Sequence, residues 1–179
     1  MCLSTVATAT PADVAAAAPD APHWLQIYVF KDRELTDELI GQSLEAGFSA
    51  LVLTADLPVY GRRHREERAG FVAPDEVVPA YAAALARGVE DDRSLDLIEA
   101  GLEWEYVTEL REKWNVPVIV KGLVTAEDAI LACEHGAAAV VVSNHAPYVL
   151  GCKRATLAGT KGCKLARVSE SQKAGPGSD

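Results

Sequence analysis

Four side chains of different chemistry, Tyr28, Asp56, Lys121 and His145, stand where short apolar runs give way to polar residues. Lys121 directly follows Pro117-Val118-Ile119-Val120, and Ser143 and His145 follow Ala138-Ala139-Val140-Val141-Val142. Short apolar β-branched runs that end abruptly in a polar group read as buried parallel strands whose C-terminal ends carry reactive side chains. Gln26 and Tyr28 lie two apart and so share one face of their strand, and Thr54 and Asp56 repeat the arrangement on the next. An imidazole with a carboxylate to orient it is a candidate general base. An ammonium held in a pocket stabilises negative charge that develops beside it.

Each residue also has a plainer reading. Tyr28 alone fits a core aromatic with its hydroxyl at the rim. Asp56, ahead of Leu57-Pro58, fits a residue that shapes a turn, and Lys121 could carry its ammonium out to solvent on an apolar stem. The charged stretch from Tyr60 to Arg68 reads mostly as a solvated face of exposed ion pairs. One of its arginines turned inward would hold an anion.

Alternating strands and helices would position these groups. Strands are predicted at Trp24 to Val29, Ala50 to Thr54, Val116 to Val120 and Ala138 to Val142, with Leu3-Ser4-Thr5-Val6 as one more strand end. Arg33 to Ala46 carries Leu35, Leu39, Ile40 and Leu44 on one helical face before Gly47 stops it. Pro74 to Arg87 is Ala-rich and predicted helical, Gly88 to Gly101 reads as an acidic loop, and Glu103 to Lys113 and Thr125 to Glu134 read as helices. Thr125 is the predicted cap of the last, with Asp128 in the capping-box position. Strands separated by helices imply a parallel sheet with right-handed crossovers.

Composition narrows the classes. With 49% hydrophobic and 24% charged residues among 179, the chain is globular rather than disordered. No apolar run approaches the roughly 20 residues of a membrane span, and Met1-Cys2-Leu3-Ser4-Thr5 lacks a secretory signal's features. A cytoplasmic protein is the expectation. Cys2, Cys133, Cys152 and Cys163 show neither CxxC spacing nor paired histidines, so no metal site is predicted. A net charge of −9 disfavours nucleic acid as a partner. Residues 151–179 carry six Lys and Arg against Glu170 and Asp179, a net +4, which leaves −13 for residues 1–150. Beyond Leu150 apolar periodicity fades and Gly, Ser and Lys dominate, which predicts a disordered basic tail.

Taken together, several segments resemble the FMN-dependent α-hydroxy acid dehydrogenase/oxidase family, whose members include glycolate oxidase, flavin L-lactate dehydrogenase and mandelate dehydrogenase. The matching pieces are Leu3 to Thr8, Trp24 to Arg33, Ala50 to Pro58 with Gly61-Arg62-Arg63, Pro117 to Ala129, and Ser143-Asn144-His145, in family order. The resemblance implies an α/β fold, a (β/α)8 or TIM barrel. Typical barrels run to about 250 residues, so a partial barrel is expected, roughly strands two to six, over residues 1–145. Residues 146–179 are read as a divergent tail. The resemblance also implies that Ser4, Gln26, Thr54, Lys121 and Ser143 contact FMN, with Lys121 near the ring edge that becomes negative on reduction.

By the same resemblance His145 takes the proton of the substrate hydroxyl, Asp56 stabilises the imidazolium, Tyr28 hydrogen-bonds the substrate and Arg63 assists there. The implied reaction is FMN-dependent oxidation of a small L-2-hydroxy acid to a 2-oxo acid, with a homo-oligomer as the implied assembly. Another flavin barrel, type 2 isopentenyl diphosphate isomerase, fits Tyr28, Asp56 and His145 poorly. One departure stands out. Family members follow the histidine with Gly, a small residue and an arginine for the substrate carboxylate, whereas this chain reads His145-Ala146-Pro147-Tyr148. A phenol cannot replace a bidentate guanidinium. The alternative reading is therefore a catalytically inactive truncated fragment or paralogue, lacking both that arginine and the FMN-phosphate site.

Overall fold

Among the described residues six strands run parallel in chain order: β1 (Cys2–Ser4), β2 (Trp24–Ile27), β3 (Ala50–Thr54), β4 (Val118–Leu123), β5 (Ala139–Val142) and β6 (Lys164–Ala166). The computed structural model describes residues 1–57, 64–71, 98–143 and 164–166. Helix α1 (Pro11–Ala17) links β1 to β2, and α2 (Arg33–Glu45) links β2 to β3. Between β3 and β4 lie α3 (His64–Ala69) and α4 (Glu105–Trp114), and α5 (Ala126–Glu134) links β4 to β5. Consecutive parallel strands with helical crossovers make part of a (β/α)8 barrel, the predicted fold class.

Alternation along the strands sorts side chains into two layers. Leu25, Ile27, Leu51, Leu53, Val118, Val120 and Val140 pack with Leu39 and Ile40 of α2, Val107 and Leu110 of α4, and Ala129 and Ala132 of α5. The alternate residues Ala50, Val52 and Ile119, with Ala139 and Val141 against them, form a second cluster on the concave, lumen side. Apolar residues thus fill both faces, as expected of a parallel sheet. The helix layer follows local rules. Asp32 caps α2 by accepting from the amides of Glu34 and Leu35, and Gly47 leaves it with φ +91°. Thr125 caps α5 by accepting from the Asp128 amide at 3.1 Å, as predicted.

Three elements differ from the sequence expectation. Helix α1 was not predicted, yet Thr10 and Asp13 form a reciprocal capping box with Pro11 in the first turn, and the helix buries Pro11 and Val14. Helix α3 stands in the charged stretch from Tyr60 to Arg68, for which no helix was predicted, and Gly70 follows it with φ +58°. Glu and Arg are good helix formers, so charge alone does not signal a loop. Strand β6 stands in the predicted tail, with Leu165 opposite Val140. A three-residue strand pairs through its backbone and is too short for periodicity to reveal. The predicted helix from Pro74 to Arg87, the boundary at Ala146 and the rest of the tail lie outside the described residues.

Candidate active site

Register sets the polar rim of the lumen. Ser4 lies opposite Gln26 across β1 and β2, Gln26 opposite Val52, and Thr54, two residues further along β3, opposite Lys121. Period-two alternation therefore aims Ser4, Gln26, Thr54 and Lys121 at the side lined by Val52 and Ile119, towards the C-terminal ends of the strands. Ser143, two residues beyond Val141, continues that face.

Hydrogen bonds tie the first three strands together. Ser4 Oγ donates to Gln26 Oε1 at 3.0 Å, and Gln26 Nε2 donates to Thr54 Oγ1 at 2.8 Å. The Gln26 amide is fixed by this order: its oxygen serves Ser4 and also the Thr5 amide at 3.3 Å, and its nitrogen serves Thr54. Thr5 was not among the predicted site residues. It is 1% exposed, and its Oγ1 donates to the Gln26 carbonyl at 2.7 Å while accepting from the Tyr28 amide at 3.1 Å. The hydroxyl thereby sets the chain on either side of Ile27 and aims both Gln26 and Tyr28. Its signal in the sequence was a polar β-branched residue directly beside Ser4.

Asp56 gathers the next groups. Its Oδ1 lies 3.5 Å from Lys121 Nζ, and its Oδ2 accepts from Ser143 Oγ at 3.3 Å. The Asp56 side chain is 8% exposed and that of Lys121 26%, so the ion pair lies in a partly desolvated setting where charges act more strongly than on the surface. The Ala55 amide donates to the Lys121 carbonyl at 2.8 Å, which anchors the residue before Asp56 to β4. Tyr28 is 8% exposed, and its phenol is pushed above the ordinary value by burial and, second, by the negative charge of Asp56. Tyr28, Lys121 and Ser143 thus each lie within electrostatic or hydrogen-bond reach of Asp56. Arg63 and His145 lie outside the described residues.

The donor set suits the ring of a flavin. An isoalloxazine edge alternates acceptors with one imide N–H, and the Gln26 amide keeps one hydrogen beyond that given to Thr54, with hydroxyls of Ser4 and Thr54 on either side. Lys121 carries a cation on the same rim, a charge of the sign that would offset a negative reduced ring. Among the described residues no group of His, Cys, Asp and Glu is placed to hold a metal ion, and no helix is long and apolar enough to cross a membrane.

Comparison with known proteins bears on the family and the fold. Residues 1–166 match the family described as FMN-dependent dehydrogenase, a span that passes through β6. Glycolate oxidase of Spinacia oleracea is 37% identical over 165 residues, 88% of this chain and 44% of its own length. 2-Hydroxyacid oxidase 1 of Homo sapiens is 33% identical over 156 residues, 81% of this chain and 42% of its own. Among solved structures, a soluble mutant of the membrane-associated (S)-mandelate dehydrogenase from Pseudomonas putida superposes with a TM-score of 0.65 at 30% identity, covering 80% of this chain and 42% of that one. Mandelate oxidase gives 0.67 at 33%, covering 80% and 40%. The chain spans less than half the length of the curated relatives it matches. Strand order, lumen-facing rim and sequence similarity along residues 1–166 converge on one ancestry: the chain belongs to the FMN-dependent dehydrogenase family.

Proposed function

We propose that this chain contributes the strand-end half of a site that oxidises a small L-2-hydroxy acid, of the glycolate or lactate type, to the 2-oxo acid. The observation that carries the reading is the convergence of Lys121, Asp56 and Ser143 on one rim beside the Ser4, Gln26 and Thr54 chain. FMN, when bound, supplies the acceptor for the hydride equivalent leaving the carbinol carbon. Ser4, Gln26 and Thr54 hold and orient the ring, Ser143 adds a hydroxyl, and Lys121 offsets negative charge. His145 takes the hydroxyl proton and Asp56 stabilises the resulting imidazolium. The Tyr28 phenol, kept protonated by its surroundings, donates to the substrate, and Arg63 assists at the substrate side. A cytoplasmic setting and association with further copies of the chain belong to the same reading; sedimentation velocity tests the second.

The experiment is flavin uptake. The purified chain, mixed with FMN and desalted, should retain a flavin spectrum that bleaches anaerobically with glycolate, lactate or mandelate. Loss of all flavin at micromolar concentration would leave the second reading, a family member without catalysis of its own. That reading is favoured by Tyr148, which stands where the family pattern has its carboxylate-binding arginine. Ala146→Gly, Pro147→Gly and Tyr148→Arg together, with the C-terminal part of a family barrel appended, should then give turnover if the lesion lies there.

A further inference from the structure

Strand β4 breaks its own alternation at one residue. Ile119 and Lys121 face the lumen, and strict period-two geometry would send Leu123 the same way. Leu123 instead belongs to the helix-side core and is 5% exposed. Pairing with β5 shows how: Lys121 lies opposite Val141 and Leu123 opposite the very next residue, Val142, so Gly122 is an extra residue in the ladder. Such a bulge bends its strand and re-aims the neighbouring side chains.

Gly122 also makes room. Its φ is +107°, which L side chains rarely adopt, and a Cβ built there would stand 2.6 Å from both Cβ and Cγ of Asp56 and 2.8 Å from the Asp56 backbone nitrogen. Carbon atoms in contact prefer about 3.5–4.0 Å. Turning the Asp56 side chain away would not clear the backbone nitrogen. The Asp56 segment would have to withdraw, and its carboxylate with it. We propose that Gly122 is a positioning residue: its bulge and its missing side chain admit the Asp56 carboxylate to the rim, where it meets Lys121 and Ser143. The relevance of that placement to flavin chemistry rests on the function proposed above, but the placement itself does not.

Gly47 provides the control, because its φ of +91° imposes comparable backbone strain on any side chain while a Cβ there meets nothing within 4 Å. The test is a double-mutant cycle by urea unfolding of the full chain, with Lys121→Met, Asp56→Asn and the pair. The cycle is measured in the native background and repeated with Gly122→Ala and with Gly47→Ala. Coupling between Lys121 and Asp56 should change the unfolding constant by about tenfold in the native chain, keep that value with Gly47→Ala, and shrink towards no effect with Gly122→Ala. Unchanged coupling with Gly122→Ala would overturn the proposal, as would equal loss with both glycine replacements. If Gly122→Ala does not fold, Gly122→Ala with Asp56→Gly, which removes the two side-chain clashes and leaves the backbone contact, should recover part of the lost native signal at low urea, whereas Asp56→Gly should recover none in a Gly47→Ala background. No recovery with Gly122→Ala, or equal recovery in both backgrounds, would overturn it too. FMN titration of the same variants separates the two questions: a native chain that binds no FMN refutes the proposed function, while the unfolding cycle still decides the role of Gly122.

Discussion

Replacing Gln26 tests whether the hydrogen-bonded chain across β1, β2 and β3 stabilises the rim. Gln26→Met keeps length and approximate volume but removes both the acceptor used by Ser4 and the donor used by Thr54. The Thr5 amide also bonds to the Gln26 backbone carbonyl at 3.0 Å, so it keeps a partner. Two side-chain bonds at about 0.5–1.5 kcal/mol each set a loss of about 1–3 kcal/mol. Added apolar burial returns less than about 1 kcal/mol, because the position is only half-buried. The net is about 1–2 kcal/mol of destabilisation, which lowers the melting temperature by about 3–6 °C in a chain of this size. Gln26→Glu should behave differently. A carboxylate still accepts from Ser4, and the Thr54 hydroxyl can turn to donate where it formerly accepted. This variant should therefore lose less stability than Gln26→Met. For FMN uptake the order should reverse, because in the proposed site a carboxylate at this position repels the carbonyl oxygens of the ring edge, whereas methionine is neutral. Urea unfolding followed by far-UV circular dichroism, with flavin fluorescence on the same samples, reads both quantities. Stability of Gln26→Met within about 0.3 kcal/mol of the native chain, or Gln26→Glu as the less stable of the two, would refute the reasoning.

Other perturbations separate buried from exposed contributions. The folded Tyr28 phenol holds its proton above the unfolded value of 10.0; the folded state therefore binds more protons as pH passes 10.0, and stability falls through the raised value. Tyr28→Phe should leave the native-minus-variant difference in unfolding free energy constant below that pH and shrinking above it, measured by urea unfolding at several alkaline pH values. Leu110→Ala, at a 2% exposed position between α4 and the sheet, should cost about 2–5 kcal/mol in the same assay. Lys113→Met breaks an ion pair with Asp37 whose side chains are 54% and 29% exposed. Its cost should stay below about 1 kcal/mol and decrease with added salt.

Strand identity was legible wherever a run of β-branched residues ended in a polar one, as at Ala50 to Thr54 and Val118 to Lys121, because burial on both faces demands uninterrupted apolar sequence. The end of α2 followed from Gly47, a residue whose preference is local, whereas the Asp32 cap went unread. Helix α1 escaped because its apolar face is short and Ala-rich, although its capping box was written in Thr10 and Asp13. The pairings within the site were beyond reach. That Asp56 meets Lys121 and Ser143 depends on the register of β3 against β4 and on the chain beyond β5, which no single segment encodes. Thr5 escaped for a related reason, since its hydroxyl matters only once β1 lies beside β2.

Gly122 shows where local reading and function part company. A glycine inside an otherwise regular strand costs conformational entropy and buries no side chain, so local propensity argues against it. The same glycine lets one strand serve two faces in succession: Lys121 reaches the polar rim, and Leu123 returns to the core two residues later. Without the bulge, either Leu123 would enter the lumen or Lys121 would be driven into the helix layer, where an ammonium lacks partners among Val107, Leu110 and Ala129. A break in alternation beside a strand-end cation is thus a physical marker of a site, readable as Lys-Gly within an apolar run before any partner residue is known.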